Sequence, residues 1–187
     1  MLVTGVAGCI GAWVARHLVD AGHTVVGVDL DGPRHRLDLL GVADRITLHP
    51  VDIRDFPSLR SLVERERPVA LIHLAALQVP ACRANPRLCS EVNVGGMVNV
   101  LELAREFQLP LVYASSAAVY GPDRGRSLGE LEGLQPQTLY GVYKRANEEM
   151  ARVYAADYGV RSAGFRPWVV YGPGRDQGMT SDITVAL

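Results

Sequence analysis

The sequence predicts an α/β fold, a doubly wound parallel sheet, and three observations support this prediction. Short apolar runs rich in Val, Ile and Leu alternate with segments of helical periodicity along the 187 residues. The apolar runs do not alternate cleanly with polar residues, which is typical of parallel strands buried on both faces. A glycine-rich stretch, TGVAGCIG, separates the first apolar run from the first helical pattern. Strands joined by helices in this way imply right-handed crossovers.

The strands and helices are predicted from the apolar pattern and from the glycines and prolines that interrupt it. Six strands are expected at Leu2–Thr4, Thr24–Leu30, Ile46–Val51, Ala70–Leu74, Leu111–Ser115 and Arg161–Phe165. Four helices are expected at Ile10–Ala21, Phe56–Glu66, Pro86–Gln108 and Tyr140–Tyr158. A loop is expected between the second and third strands. Gly22 and Gly159 are placed to end the first and last helices.

Composition excludes several classes of protein. The net charge of −1 gives no basic surface for nucleic acid. The longest apolar stretch, VALIHLAALQVPAC, is too short to cross a membrane, and no signal peptide precedes the first strand, so we expect a cytoplasmic protein with no membrane partner. The cysteines, Cys9, Cys82 and Cys89, are odd in number and form no C-x-x-C pair, so we expect three reduced thiols and no metal.

The opening glycines predict a phosphate-binding turn. Gly5, Gly8 and Gly11 lie between a strand and a helix, where backbone amides can reach phosphate without a Cβ in the way. Their spacing is wider than the usual G-x-G-x-x-G, and an ordinary turn is the alternative. Cys9 and Ile10 complete the predicted cofactor-binding turn.

Asp29 strengthens this interpretation. It ends the second predicted strand about 20 residues beyond the turn, where an acid meets the adenosine ribose hydroxyls of a dinucleotide. A carboxylate there repels a 2′-phosphate, which favours NAD over NADP, although Arg34 and Arg36 keep NADP open. The alternative is that Asp29 only caps the next segment.

Four motifs together, TGVAGCIG, VDL, VDIRD and IHLAA, resemble the extended short-chain dehydrogenase/reductase family in its NAD-dependent epimerase/dehydratase branch. The resemblance runs through nearly the whole chain and implies a Rossmann-type NAD-binding domain. It implies that Asp52 bonds the adenine amino group with Ile53 beside the ring. The cofactor contacts that it implies after the fourth strand are Leu74, Ala75 and Ala76. A strand-end cap for Asp52 and tight packing for the alanines are the alternatives.

The strongest chemical signal is TLYGVYKRANEE. Tyr140 and Lys144 are four residues apart in a helical pattern and share one face. An ammonium about 4 Å from the phenol, at an effective dielectric of about 20, is worth roughly 4 kcal/mol and is expected to lower the phenol pKa from about 10. The pair is therefore predicted to be catalytic and to contact the cofactor. Tyr143 also precedes Lys144 but is predicted to pack.

The remaining site residues come from the resemblance. SSAAVYG is similar to the family's serine motif and makes Ser116 the predicted catalytic hydroxyl, with Ser115 as the alternative. Asn93 matches an asparagine that orders the active-site network and is included among the expected cofactor contacts, and a structural role is equally open. Pro167 is expected near the nicotinamide amide, with Arg166 bracing the site. The histidine in the fourth strand, His73, is predicted to be a satisfied core residue.

The resemblance also limits the classes of reaction that we expect. Ala117 and Ala118 stand where dehydratases and decarboxylases carry acids, which disfavours both. We expect an NAD-dependent oxidoreductase or epimerase acting on a secondary hydroxyl of a sugar or nucleotide sugar. Val169 stands where many nucleotide-sugar epimerases have an asparagine, so a simple dehydrogenase of a non-nucleotide alcohol or sugar acid remains open, as does a non-catalytic NAD-binding fragment. Tyr171 and Arg175 are expected either to meet substrate or to lie in an exposed loop.

Two expectations concern organisation. Residues 1–165 are predicted as the NAD-binding domain, and residues 166–187 as the start of a substrate-binding region whose C-terminal lobe is largely missing from the chain. The resemblance implies a homodimer in which the two long predicted helices of each copy form a four-helix bundle. The alternative is that both helices only cover the sheet.

Overall fold

The computed structural model describes residues 1–122, 125, 129–130 and 132–176. Six parallel strands form one sheet in the order β3-β2-β1-β4-β5-β6. Their bounds are β1 Leu2–Thr4, β2 Val26–Asp29, β3 Thr47–Pro50, β4 Leu71–His73, β5 Leu111–Ala114 and β6 Ser162–Phe165. The predicted fold class and all six strands are confirmed, with most strands shorter than expected. The strand order reverses between β1 and β4, and ligands of doubly wound sheets bind at this switch point.

The helices connect consecutive strands. Their bounds are α1 Cys9–Asp20, α2 His35–Leu39, α3 Phe56–Glu66, α4 Val79–Ala84, α5 Pro86–Ser90, α6 Gly96–Glu106 and α7 Leu139–Tyr158. Helix α2 lies where a loop was predicted, and α4 was not predicted. Gly159 ends α7 in the left-handed conformation at φ 69°, as its sequence position predicts.

The single long helix predicted over Pro86–Gln108 is wrong in detail. A π-helical segment, Glu91–Gly95, separates α5 from α6, and the helical run stops at Glu106. The extra residue in such a turn changes which side chains face inward, and π-segments recur at functional sites. Asn93 lies in this segment and is fully buried, with only 1% of its surface exposed.

The core has two layers because successive side chains of a strand point to opposite faces of the sheet. Leu2 joins the cluster under α3, α6 and α7, while its neighbour Val3 joins the cluster under α1 and α2. The prediction that the strands are buried on both faces is wrong for the two edges. β6 is exposed along its whole length and β3 is half-exposed, and these are the two edge strands of the sheet.

The expectation of three reduced cysteines is also wrong. Cys82 and Cys89 form a disulfide that joins α4 to α5, with their Cα atoms 4.9 Å apart. Only Cys9 is a free thiol among the described residues. The two half-cystines are buried and pack in one small cluster with Tyr140. Sequence spacing alone does not show this proximity, because it depends on the bend at Asn85 between the two helices.

Candidate functional site

The glycine turn closes tightly against the end of β4. Gly5 has φ +71°, and a Cβ added there would lie 2.5 Å from the amide nitrogen of Ala75. A Cβ on Gly11 would lie 2.0 Å from the carbonyl oxygen of Gly5. Neither position accepts a side chain, so the turn has room only for backbone. We call the turn that contains Gly5, Gly8 and Gly11 the glycine cradle. It lies at the switch point of the sheet.

The cradle presents amide donors. The first hydrogen bond of α1 runs from Ala12 N to Gly8 O at 2.9 Å, so the amides of Cys9, Ile10 and Gly11 precede it. Such amides carry the positive end of the helix dipole and suit a phosphate group. The residues present therefore fit the diphosphate of a dinucleotide.

Asp29 stands at the carboxyl end of β2 and faces this turn. Its two carboxylate oxygens accept hydrogen bonds from Ala7 N at 2.8 Å and Leu30 N at 2.9 Å. Each oxygen keeps a further lone pair, so capping the turn and accepting from ribose hydroxyls are compatible roles. Arg36, one of the two residues that kept NADP open, is bonded to Ala7 O at 3.2 Å and Gly174 O at 2.8 Å.

The segment after β3 contains Asp52 and Ile53. The Asp52 carboxylate pairs with the Arg54 guanidinium at 2.6 Å and also accepts from Arg54 N, and these bonds lower the pKa of Asp52. Ile53 is buried against Gly96, where a Cβ would come within 2.5 Å of Ile53 Cδ1. The adenine contacts expected of Asp52 and Ile53 stay predictions.

The end of β4 is held by Thr4. Thr4 O accepts from Leu74 N at 3.1 Å, and Thr4 Oγ1 accepts from Ala75 N at 3.4 Å. Thr4 Oγ1 is also hydrogen-bonded to His73 Nδ1 at 2.8 Å, and burial lowers the pKa of His73 to about 3. His73 is thus a neutral, satisfied core residue, as its apolar strand predicts.

Asn93 holds the loop that follows. Its side-chain amide donates to Leu77 O at 2.9 Å and its oxygen accepts from Leu77 N at 2.7 Å. The next residue, Gln78, is hydrogen-bonded to the phenol of Tyr140. Asn93 therefore acts on the site through this loop, and its predicted contact with the cofactor stays a prediction. Sequence reasoning missed Gln78, whose only signal was a polar residue directly after a buried strand.

The phenol of Tyr140 is buried and hydrogen-bonded to both Ser116 and Gln78. Ser116 caps a 3-10 turn at Ala117–Val119, where its Oγ accepts from Ala118 N at 3.1 Å. The structure thus brings Ser116 together with Tyr140. Tyr143 instead points to Pro86 O at 3.5 Å, in keeping with its predicted packing role.

The expected effect of Lys144 on Tyr140 is wrong for this structure. Burial raises the pKa of Tyr140 above its ordinary value, and this outweighs the hydrogen bonds from Ser116 and Gln78 and the charge of Arg175. The Lys144 nitrogen lies 5.8 Å from the Tyr140 ring centroid and donates to Ala114 O at 2.6 Å. Burial also lowers the pKa of Lys144 to about 8, which weakens it as a source of charge.

A third residue on the same face of α7, Glu148, was missed by sequence reasoning. Its carboxylate accepts from Ser115 Oγ and pairs with Arg166 through two bonds of 2.7 Å. Arg166 also donates to Tyr120 OH at 2.7 Å. One face of α7 therefore carries three hydrogen bonds to the end of β5 and the serines after it. Tyr140 is bonded to Ser116, Lys144 to Ala114 O, and Glu148 to Ser115. The i, i+4, i+8 spacing of these three residues places them on one helix face, and this spacing is the sequence signal that could have revealed Glu148.

Pro167 follows β6 beside this network. Its carbonyl oxygen accepts from Ala117 N at 3.0 Å, which ties the end of β6 to the serine turn. Arg166 braces this region through Glu148, as expected. Whether Pro167 meets the nicotinamide amide stays a prediction.

A doubly wound parallel sheet with a glycine cradle at its switch point and an acid at the end of β2 defines the class of Rossmann-fold dinucleotide-binding proteins. The tyrosine and lysine of α7 lie at the same carboxyl edge of the sheet.

The chain belongs to the NAD-dependent epimerase/dehydratase family, whose model matches residues 1–186. Its cofactor is therefore NAD. A probable UDP-glucuronate 4-epimerase from Rhizobium meliloti is 35% identical over 182 residues, covering 92% of this chain and 53% of the relative. The chain spans about half the length of the curated relatives it matches.

Two solved structures show the same fold. UDP-glucose 4-epimerase from Thermus thermophilus, in complex with NAD, has a TM-score of 0.83 and 31% identity over 98% of this chain and 59% of that one. L-threonine dehydrogenase from Phytophthora infestans has a TM-score of 0.83 and 28% identity, covering 95% and 56%. The neighbours thus include both epimerases and a dehydrogenase.

Residues 177–187 of the predicted substrate-binding region lie outside the described residues. Within the part of the chain that the structure describes, no helix is long and apolar enough to cross a membrane. The cytoplasmic location stays a prediction.

Proposed function

We propose that this chain carries the NAD-binding and catalytic part of an enzyme that oxidises and reduces a secondary hydroxyl carbon of a sugar or nucleotide sugar. The observation that carries the proposal is the buried Tyr140 phenol, hydrogen-bonded to Ser116 and sharing one helix face with Lys144. When bound, NAD accepts and returns the hydride. The glycine cradle and Asp29 hold its diphosphate and adenosine ribose.

Tyr140 would exchange the proton of the substrate oxygen. Because burial raises its pKa, the phenol is protonated at neutral pH, and it is suited to donate a proton to a substrate carbonyl during reduction. Ser116 would hydrogen-bond the same oxygen as negative charge develops on it. In the oxidation direction, the hydrogen bonds from Ser116 and Gln78 stabilise the phenolate.

An epimerase is favoured over a dehydratase. Ala117 and Ala118 form the turn beside Tyr140, so these positions provide no acid to protonate a leaving group. The sequence similarity to a probable UDP-glucuronate 4-epimerase and the structural similarity to a UDP-glucose 4-epimerase support a nucleotide sugar as substrate.

A simple NAD-dependent dehydrogenase is the second candidate. Two observations favour it: the likeness to L-threonine dehydrogenase, and Val169 at the position where the family resemblance leads one to expect an asparagine in nucleotide-sugar epimerases. An epimerase returns the hydride and releases no net NADH, whereas a dehydrogenase releases NADH in proportion to substrate.

The test incubates the chain with NAD⁺ and either UDP-glucose, UDP-glucuronate or L-threonine. We expect C4 epimers by NMR without net NADH from one of the two UDP-sugars. Tyr140→Phe should abolish turnover and keep NAD⁺ affinity, while Tyr143→Phe, the matched control, keeps both. NADH accumulation with L-threonine would move the assignment to the second candidate. NAD⁺ binding without turnover of any of the three substrates would contradict the catalytic proposal and favour a non-catalytic NAD-binding fragment.

We further propose that residues 1–165 form the NAD-binding domain. We also propose that two copies of the chain pair through α6 and α7. Val142 and Val153 on α7 are each more than two-fifths exposed, which leaves apolar surface for a second copy to cover. Sedimentation equilibrium should give a dimer, and Val153→Glu should shift it towards monomer. A monomeric wild-type chain would show that both helices only cover the sheet.

A further inference from the structure

Helices α4 and α5 form a short elbow beside the helix that carries the proposed catalytic tyrosine. We call residues 79–90 the elbow. Its backbone bends at Asn85, whose side chain caps α5. The disulfide of Cys82 and Cys89 closes the elbow. Residues 83–87 at the bend are all exposed, whereas the two half-cystines are buried on the side that faces the protein.

The disulfide lies against Tyr140 itself, because Cys82, Cys89 and Tyr140 form one buried cluster. Ala118 of the serine turn packs against the same cluster. A Cβ added to Gly141 would lie 2.6 Å from the carbonyl oxygen of Ala118, so α7 and the serine turn are in tight contact. Protein interiors of this kind are close-packed. A change of shape at the two sulfurs must therefore be taken up by these neighbours.

Asn93 connects the sulfurs to the loop after β4. Its side-chain nitrogen lies 3.4 Å from Cys89 Sγ and 3.7 Å from Cys82 Sγ. The same nitrogen donates to Leu77 O at 2.9 Å. The backbone oxygen of Asn93 accepts from the side chain of Asn147 on α7 at 2.9 Å. One buried residue thus contacts both sulfurs, the loop after β4 and α7.

Reduction of the disulfide changes these contacts. Cys82 Sγ lies 3.5 Å from Leu77 O. A half-cystine has no proton to donate there, whereas a thiol has one, so reduction gives Leu77 O a second donor beside the Asn93 amide. Two non-bonded thiols also need more room than two sulfurs joined by a covalent bond, and a close-packed cluster offers none. Reduction is therefore expected to displace the elbow from Tyr140.

The elbow also gives a reductant access to the buried sulfurs. Helices α4 and α5 have only six and five residues, and the bend between them is exposed. Helices this short have little stability of their own. Local opening of such a segment costs less free energy than unfolding of the whole domain, so the sulfurs become accessible while the sheet stays folded.

We propose that the Cys82–Cys89 pair is a reversible redox switch that sets the position of Tyr140, with the disulfide form active and the dithiol form impaired. The reductant is a thiol, either one dithiol or two molecules of a small thiol. The S–S bond breaks, each protein sulfur gains one electron and one proton, and the two reductant sulfurs become joined in a disulfide. The inference rests on the proposed role of Tyr140 in turnover, and its structural part is measured without turnover.

The first experiment counts thiols. The chain is alkylated in denaturant, with and without prior treatment with dithiothreitol, and its mass is measured. We expect one alkylated cysteine, Cys9, in the chain purified under air, and all three after reduction. Three alkylated cysteines without reduction would show that the disulfide does not form, and would overturn the inference.

The second experiment follows Tyr140 without any substrate. In a chain with ¹³C-labelled tyrosine rings, the NMR signal that is lost in Tyr140→Phe should shift when dithiothreitol is added. The signal of Tyr154 is the internal control, because this residue lies about 21 Å further along α7. Cys82→Ala/Cys89→Ala should not respond to dithiothreitol, although it keeps Cys9. An unshifted Tyr140 signal in the wild-type chain, or a shift that persists in the double variant, would overturn the switch.

The third experiment measures kcat for the substrate that the chain turns over. We expect reduction to lower kcat about tenfold or more, because a misplacement of about 1 Å at a catalytic group can cost about a hundredfold. Cys82→Ala/Cys89→Ala should resemble the reduced chain in both conditions. The comparison of oxidised and reduced wild type needs no variant, so it stands even where the double variant folds poorly.

The outcomes separate the switch from the proposed function. Equal kcat in the oxidised and reduced wild-type chain would overturn the regulatory role of the disulfide. Absence of turnover in both states would contradict the proposed function, and the thiol count and the Tyr140 signal would then decide whether the disulfide positions Tyr140.

Discussion

The side-chain nitrogen of Lys144 donates a hydrogen bond to the carbonyl oxygen of Ala114 at 2.6 Å. This bond ties the middle of α7 to the last residue of β5, directly before the two serines. The amine is almost fully buried, and burial lowers its pKa to about 8. Without bound cofactor, Lys144 therefore works as a link between helix and strand.

The burial of Lys144 predicts a rise in stability with pH. Between pH 8 and 10.5 the unfolded chain holds a proton on this lysine that the folded chain has lost, so raising the pH favours the folded state. One such proton contributes about 1.4 kcal/mol per pH unit to the free energy of unfolding. Urea denaturation of the cofactor-free protein at several pH values measures this slope.

Lys144→Met provides the comparison. Every other group is shared by the two proteins, so only the difference between the two pH profiles reports on Lys144. We expect the variant to lack the rise. Parallel profiles would mean that the buried amine stays charged over the whole range.

The acid side should show a second titration, that of His73. Its pKa is depressed to about 3, so as pH falls from 6.5 towards 3 the unfolded chain gains a proton that the folded chain refuses. This lowers stability by about 1.4 kcal/mol per pH unit over that window. His73→Phe should flatten this part of the profile relative to wild type. An unchanged acid slope in the variant would contradict the buried, neutral histidine.

The ion pair of Glu148 and Arg166 should be strongly coupled. Its side chains are only 17% and 18% exposed, and the carboxylate also accepts from Ser115. We expect a double-mutant cycle of Glu148→Gln and Arg166→Gln to give a coupling energy of about 1–3 kcal/mol in urea denaturation.

The matched control is the pair of Glu149 and Arg152 on the same helix, whose side chains are 47% and 73% exposed. Solvent screens that pair, so its cycle should give about 0.5 kcal/mol or less. Equal coupling energies for the two cycles would contradict the strong coupling expected of the shielded Glu148–Arg166 pair.

The glycine cradle gives a steric prediction. Gly11→Ala places a Cβ 2.0 Å from the Gly5 oxygen, so the turn must open. We expect loss of measurable NAD⁺ binding and a lower melting temperature. Gly95→Ala is the control, because its Cβ meets nothing within 4 Å and its backbone is helical. Calorimetry and thermal melts check both variants, and NAD⁺ binding retained by Gly11→Ala would show that the cradle is not the binding turn.

Local pattern was enough to predict the strands and the parallel topology, because a strand buried on both faces and an amphipathic helix each leave a short-range signature. The placement of Tyr140 and Lys144 on one helix face could also be predicted, because the two residues are about one turn apart in α7. The π-segment at Asn93 and helix α2 were not predicted, since short or irregular helices carry too few periodic positions to detect.

The sequence by itself determined the sheet, the glycine cradle, the acid at the end of β2 and the placement of Tyr140 and Lys144 on one face of α7. Only the tertiary structure decided that burial raises the pKa of Tyr140, that Lys144 bonds Ala114, and that Cys82 pairs with Cys89. The physical reason is that sequence patterns report on neighbours within a turn or a strand, whereas desolvation and contacts between distant segments depend on how the whole chain packs.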